Sequence, residues 1–385
     1  MMNDQLESAL LEACNYASSR LFNEVGVSLE SVRNLNQLCQ TYQKEKKICL
    51  FTGAGVSFTG AKYYQTPGWW DLLIEIYGVI YPELTGLSII SSFKKLQKKY
   101  SHPWRMASFL EKEAGRERFT KILCQLLYNR ITKKDLKLRP IGADEDKRLP
   151  ISYLHHAATL NAVIAFCSSI RAIRTHGCFV KNTKVHAVLT LNYDSFLEAG
   201  ATQKYNAGCF KPRVSKEPPK KRWQLPVYHI HAYIPYGGQK PATELVLTTK
   251  SYQEAYKNGG RAREIIDEHL IKFSTLFIGI SFDDELLLQR LEVLAKQDAA
   301  KNHFALIKQG MPNKLLKCLE SAKILPILYS CHEQLPTILG YIYKLGLSPH
   351  NYIQVESMVD GKIRKVRDVQ ISKDQYWEVL LFNKV

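Results

Sequence analysis

"KKICLFTGAGVSFTG" (residues 46–60) sets a charged pair and the apolar run "ICLFT" ahead of a turn made of Gly53, Ala54 and Gly55, with Val56 and Ser57 behind it. A strand ending at Thr52 in so small a turn has two explanations. Either another part of the fold packs tightly on the turn, or a ligand lies against its backbone. The pattern is half of a dinucleotide-binding fingerprint, G-x-G without the third glycine at the usual spacing. Backbone N–H groups in such a turn hold a pyrophosphate when they are free. By itself the stretch does not separate packing from binding.

Six further short runs are apolar throughout: "VHAVLTL" (185–191), "VYHIHAYI" (227–234), "LVLT" (245–248), "TLFIGIS" (275–281), "HFALI" (303–307) and "ILPILY" (324–329). Continuous apolar runs, unlike alternating ones, mark parallel strands covered on both faces by helices. Helical spacing follows in "EIIDEHLIKF" (264–273) and "DDELLLQRLEVLAKQ" (283–297). Strand alternating with helix predicts a doubly wound, mostly parallel α/β sheet. The interval 70–180 differs, because "WDLLIEIYGVIY", "SSFKKLQKKY", "WRMASFLEKEAG", "ERFTKILCQLLYNRI" and "SYLHHAATLNAVIAFCSSIRAI" all repeat at helical spacing. A helical module inserted after the first strand is expected there. Residues 211–226, rich in proline and basic residues, read as a loop. The tail 352–372 alternates around Asp360-Gly361, a turn signal that predicts a small C-terminal β-hairpin.

Composition narrows the function classes. With 385 residues, 45% hydrophobic and 23% charged, the chain is an ordinary globular one and not a disordered one. No apolar run reaches the roughly 18–20 residues needed to cross a bilayer, so no membrane role is expected. "MMNDQLESALLEACNYASSRLF" (1–22) contains Asp4, Glu7 and Glu12, lacks the basic head of a signal peptide and reads as an amphipathic helix. A cytoplasmic location is the expectation. Nine cysteines are scattered with no C-x-x-C pair, which points to reduced thiols and no metal site of the paired-cysteine kind.

Against 36 Asp+Glu stand 53 Lys+Arg, a net charge of +17. Such a surface draws polyanions: nucleic acid, an acidic partner or a polyphosphate ligand. The basic clusters at 93–100, 130–139 and 211–223 are not interleaved with aromatics as a single-strand platform would be.

Three more stretches carry candidate chemistry. In "LTLNYDSFLEAG" (189–200), a strand runs into Asn192 and Asp194 before a helix pattern. Ligands of open parallel sheets sit at the carboxyl ends of strands; capping of the next helix by either residue is the alternative reading. In "VYHIHAYIP" (227–235), His229 and His231 stand two apart, which puts both on one face of a strand. No third ligand for a metal suggests itself. In "FIGISFDD" (277–284), Gly279 and Ser281 close another strand, and Asp283 and Asp284 suit a helix start.

The order of these motifs, strand–GAGVS, LTLNYD, HIHAY and LFIGISFDD, resembles the sirtuin family. It resembles more closely the bacterial sirtuin-like domains of antiphage defence systems, which consume NAD⁺. "TPGWWDLL" (66–73) and "LVLTTKSYQEAY" (245–256) are similar to those domains as well. The resemblance implies a Rossmann-like NAD-binding domain over 46–69 and 181–345. It leaves a helical segment at 1–45, a helical insertion at 70–180 and the hairpin at 346–385.

By position, the resemblance implies that Thr52, Gly53, Ala54, Gly55 and Ser57 hold the phosphates. Asn192 would lie beside the ribose and Asp194 near the nicotinamide. His231 matches the catalytic histidine, while Gly279 and Ser281 would hold the adenosine side. Three departures stand out. Ala232 replaces a common glycine, the four-cysteine zinc module is missing, and "AKYYQTPGWW" lacks the usual arginine.

Without the zinc module, water is the expected acceptor, and the implied reaction is hydrolysis of NAD⁺ to nicotinamide and ADP-ribose. The alternatives are an NAD-dependent deacylase or ADP-ribosyltransferase, an NAD or ADP-ribose sensor, and a nucleic-acid-binding subunit. The resemblance also implies a homo-oligomer and a separate activating partner, such as a DNA-engaging hexameric ATPase.

Overall fold

The structure is a computed structural model that describes residues 29–57, 68–128, 157–168, 184–205, 210–213, 224–236, 240–297, 301–346, 353–359 and 362–369. Its strands β1 (Ile48–Thr52), β2 (Val185–Thr190), β3 (Phe210–Arg213), β4 (Leu225–His229), β5 (Thr275–Ile278), β6 (His303–Lys308) and β7 (Ile324–Tyr329) form one sheet. Their order is β3-β4-β2-β1-β5-β6-β7, and every pairing is parallel.

The apolar runs have a simple cause. Ile48 and Leu50 of β1 enter one buried cluster, while Cys49 and Phe51 enter the other. Phe304 and Leu306 of β6 are likewise separated from Ala305 and Ile307. Period-two alternation sends side chains to both faces, and both faces are covered. The result is the doubly wound, Rossmann-like α/β architecture that the sequence predicts.

In chain order the helices are α1 (Leu29–Lys44), α2 (Trp69–Ile80), α3 (Leu87–Lys99), α4 (Pro103–Ala114), α5 (Arg116–Leu127), α6 (Ala158–Phe166), α7 (Phe196–Tyr205), α8 (Thr249–Tyr256), α9 (Arg261–Lys272), α10 (Glu285–Ala295), α11 (Asn313–Ser321) and α12 (Leu335–Gly346). The first face is covered by α1, α6, α7 and α12, and its core runs on into the helical insertion through Leu73 of α2, Met106 of α4 and Phe119 of α5. The second face is covered by α8 to α11. None of the helices among the described residues is long and apolar enough to cross a membrane.

Three expectations change. "LVLT" is not a strand: Val246 N–H bonds His231 O at 2.8 Å and Ala242 N–H bonds Tyr233 O at 2.7 Å, after which Thr248 caps α8. Within the segment, Tyr193 OH donates to Val246 O and the N–H groups of Leu247 and Thr248 donate to Ser251 Oγ, so side chains satisfy it without a ladder. The run at 227–234 ends its strand at His229. Conversely, β3 lies inside the predicted loop 211–226. It carries Pro212 and sits at the sheet edge, where a missing N–H does least harm.

The C-terminal hairpin pairs β8 (Ile353–Val359) with β9 (Lys362–Val369), antiparallel, from Ile353↔Val369 to Val359↔Lys362. The amphipathic helix expected at 1–22, the basic cluster 130–139, Asp360-Gly361 and most of "AKYYQTPGWW" lie outside the described residues.

The pairing registers place the motifs on one level. Thr52 pairs with both Thr190 and Ile278, and Thr190 pairs with His229. One residue beyond this row come Gly53 and Gly279, and two residues beyond it come Asn192 and His231. All four motifs therefore leave the sheet at one edge.

Candidate active site

The turn after β1 answers the opening question in part. A Cβ on Gly53 would lie 2.6 Å from Gly279 O, one on Gly55 would lie 2.7 Å from Gly279 Cα, and one on Gly279 would lie 2.6 Å from Val56 N. Gly279 also has φ +66, a left-handed backbone that favours glycine. The glycines are small because the turns after β1 and β5 interlock, backbone against backbone.

Gly53 N–H donates to Ile278 O (3.0 Å) and Gly55 N–H to Gly279 O (2.9 Å). Val56 and Ser57 N–H donate to Gly53 O and Ala54 O. Three of the residues that the resemblance assigns to phosphates, Gly53, Gly55 and Ser57, thus have their N–H groups committed inside the protein. Ala54 remains exposed and Gly55 half-exposed at the edge. Ser281 and Asp283 are exposed, and between them buried Phe282 holds φ +58 while packing on Phe277 at 5.4 Å.

On the other side of β1 the edge is polar. Asn192 Nδ2 donates to Gly53 O (3.2 Å) and to Ser57 Oγ (3.3 Å). Ser57 Oγ in turn donates to Asp194 Oδ2 at 3.3 Å. Asp194 Oδ1 accepts from Phe196 N at 3.1 Å, so Asp194 does start α7, but its second oxygen belongs to the cluster. Thr52 Oγ1 bonds Leu189 O, which makes it part of the sheet edge. Burial pushes the Asp194 carboxyl from 3.8 up to about 6, with the Phe196 N–H, His229 and Ser57 pulling the other way.

His231 is brought to the same edge but is sealed in, 1% exposed. Its Nε2 faces Tyr256 OH at 3.1 Å and Asp284 Oδ2 at 3.5 Å, while Nδ1 faces Tyr252 OH at 3.5 Å. Burial holds the Tyr252 and Tyr256 phenols well above their ordinary range, so both remain hydroxyls. Asp284 also caps α10 through Leu287 N at 3.0 Å. Tyr193 lies tilted toward His231 at 6.3 Å and meets Trp69 edge-on at 5.5 Å.

His229 is not a twin of His231. β4 ends at His229, and the two rings share no hydrogen-bond partner: His229 faces Asn192 O and Glu198. Among the described residues no group of three or more His, Cys, Asp or Glu could hold a metal ion.

Sequence reasoning passed over Tyr252, Tyr256 and Asp284 as partners of His231. The two tyrosines stand four apart in α8 and read as its apolar stripe, while Asp284 reads as a cap. The one available signal was that "SYQEAY" keeps two phenols on one helix face.

A family model of the SIR2-like domain matches residues 186–327, from β2 into β7. That span contains Asn192, Asp194, His231, Gly279 and Ser281. No curated protein matches the chain. SIR2-like domains use NAD, so the match supports NAD-related activity. Residues 186–327 are similar to a SIR2-like domain, and β1, outside that span, completes the sheet between β2 and β5.

Proposed function

We propose that the chain hydrolyses NAD⁺ to nicotinamide and ADP-ribose at the carboxyl edge of the sheet. The anchored amide of Asn192 carries this reading. Its NH2 is held by Gly53 O and Ser57 Oγ, which leaves the carbonyl Oδ1 for a ligand at a half-exposed position. An acceptor there suits a ribose hydroxyl or an attacking water.

The small, outward Ala54 and Gly55 let a nucleotide approach closely. Because the N–H groups of Gly53, Gly55, Val56 and Ser57 are engaged, phosphate contacts rely on the exposed Ala54 N–H or on donors beyond the turn. Water adds to the ribose carbon, the electron pair of the broken bond leaves with the nicotinamide nitrogen, and one proton remains. Asn192 Oδ1 orients the water, and His231 accepts the proton, a contribution of about 10²–10⁴-fold.

The 3.5 Å Tyr252 contact opens to present Nδ1, while Tyr256 and Asp284 stay on Nε2 and support the charged ring. On the same reading the chain is the NAD-depleting effector of a bacterial antiphage system, switched on by assembly or by a separate partner protein. The sealed His231 supports such a resting state, and the +17 charge supports a polyanionic partner.

Asn192→Ala and His231→Ala should each abolish NAD⁺ loss while leaving the fold intact, read by nicotinamide release from the full chain. Parental rates in both variants would overturn the assignment. Nicotinamide released only with an acyl-lysine peptide would favour a deacylase instead.

A further inference from the structure

Behind Asn192 lie buried polar groups that no step above uses. Asn192 belongs to an irregular link between β2 and α7, so no sheet ladder fixes its peptide. Its N–H is tied to Thr190 Oγ1 at 3.1 Å, and its carbonyl faces His229 Nδ1 at 3.0 Å. A carbonyl only accepts, so Nδ1 carries the proton. The other ring nitrogen lies 2.7 Å from Glu198 Oε1 on the first turn of α7.

The guanidinium of Arg261 donates to His229 O at 2.7 Å and to Ile230 O at 2.8 Å, which fixes the strand end that carries the ring. Burial disfavours a charged His229, yet the Glu198 carboxylate and the Asn192 carbonyl outweigh it and hold the ring above the usual imidazole value.

We infer that His229 is a positioning residue: its Nδ1–H holds the Asn192 peptide so that the side-chain amide faces the ribose, and Glu198 orients the ring. The carboxylate–imidazole–carbonyl chain follows the logic by which second partners set the tautomer of a working histidine. This inference rests on the NAD⁺-cleaving reading, with Asn192 as the residue that touches the substrate.

Two variants separate the functions of the two ring nitrogens in the full chain. The amide of asparagine overlays Nδ1, and that of glutamine overlays Nε2. His229→Asn keeps a donor for Asn192 O, and His229→Gln keeps only the Glu198 contact. His229→Gln should lower kcat about 100-fold with KM within about 3-fold, and His229→Asn should stay within about 10-fold of the parent, the scale expected for misplacing a reacting group.

A merely structural role would make the smaller asparagine the worse of the two, in step with melting temperature. Parental kcat in His229→Gln, or no advantage for His229→Asn, would overturn the inference. If the parent leaves NAD⁺ intact, the proposed reaction fails instead. The brace is then read from the ¹⁵N imidazole spectrum, where a protonated, slowly exchanging Nδ1 is expected and an unprotonated Nδ1 overturns it.

Discussion

The two sides of β1 end at the same level and are built from opposite materials. Toward β5, three glycines close the gap with main chain alone. Toward β2, the gap is filled by the side chains of Asn192, Ser57 and Asp194. Open α/β sheets bind ligands where neighbouring connections diverge. Here the β1–β5 side of that crevice is shut, and the usable chemistry shifts to the β1–β2 side. A glycine-rich turn can therefore serve a site by locking the edge on which the polar groups stand.

Breaking the glycine side should have the largest effect. Gly279→Ala combines a left-handed φ with a Cβ 2.6 Å from Val56 N. We expect about 4 kcal/mol of lost stability in urea unfolding, from strain and overpacking together. A variant of parental stability would mean that the turns do not interlock.

The polar side should betray itself through pH. Asp194 is raised from 3.8 to about 6, so between these values the unfolded chain releases the proton first. Its share of stability is full below about 4, falls by about 3 kcal/mol as pH rises toward 6, and is flat above. Asp194→Asn, which keeps an acceptor for Phe196 N, should remove that fall. Parallel pH curves for parent and variant would contradict a buried carboxyl.

A smaller effect is expected for Ser57→Ala. Two long hydrogen bonds vanish, at a cost of about 1 kcal/mol, while nicotinamide release drops through kcat as the Asn192 amide loses one anchor. The control that belongs to neither side is Arg116→Ala. Its partner Glu244 and the arginine are 70% and 69% exposed, so any change should stay below about 1 kcal/mol.

Much of this was legible because the strands are buried on both faces and the helices keep their spacing. β1 and β7 coincide with the runs "ICLFT" and "ILPILY". The reason for Gly53 and Gly55 was not, because the atom they make room for belongs to Gly279, more than two hundred residues away. "LVLT" misled for a physical reason: apolar content marks burial, and one backbone bond with the Tyr193 and Ser251 side chains satisfies this buried segment as a ladder would. β3 was hidden by Pro212, Lys211 and Arg213, residues tolerable only on an outer strand. The position of His231 at this edge was legible from its motif, but its phenol partners were not, since tyrosines at helical spacing look like core.

The row Thr52–Thr190–Ile278–His229 has a consequence for biosynthesis. A ribosome that has released β1, β2 and β4 has not yet made β5, so the GAG turn has nothing to lock against and Tyr256 has no Asp284 to share with His231. Truncated products and half-made chains should be inert toward NAD⁺. On the proposed NAD⁺-cleaving reading, activity would then wait until synthesis has passed Asp284.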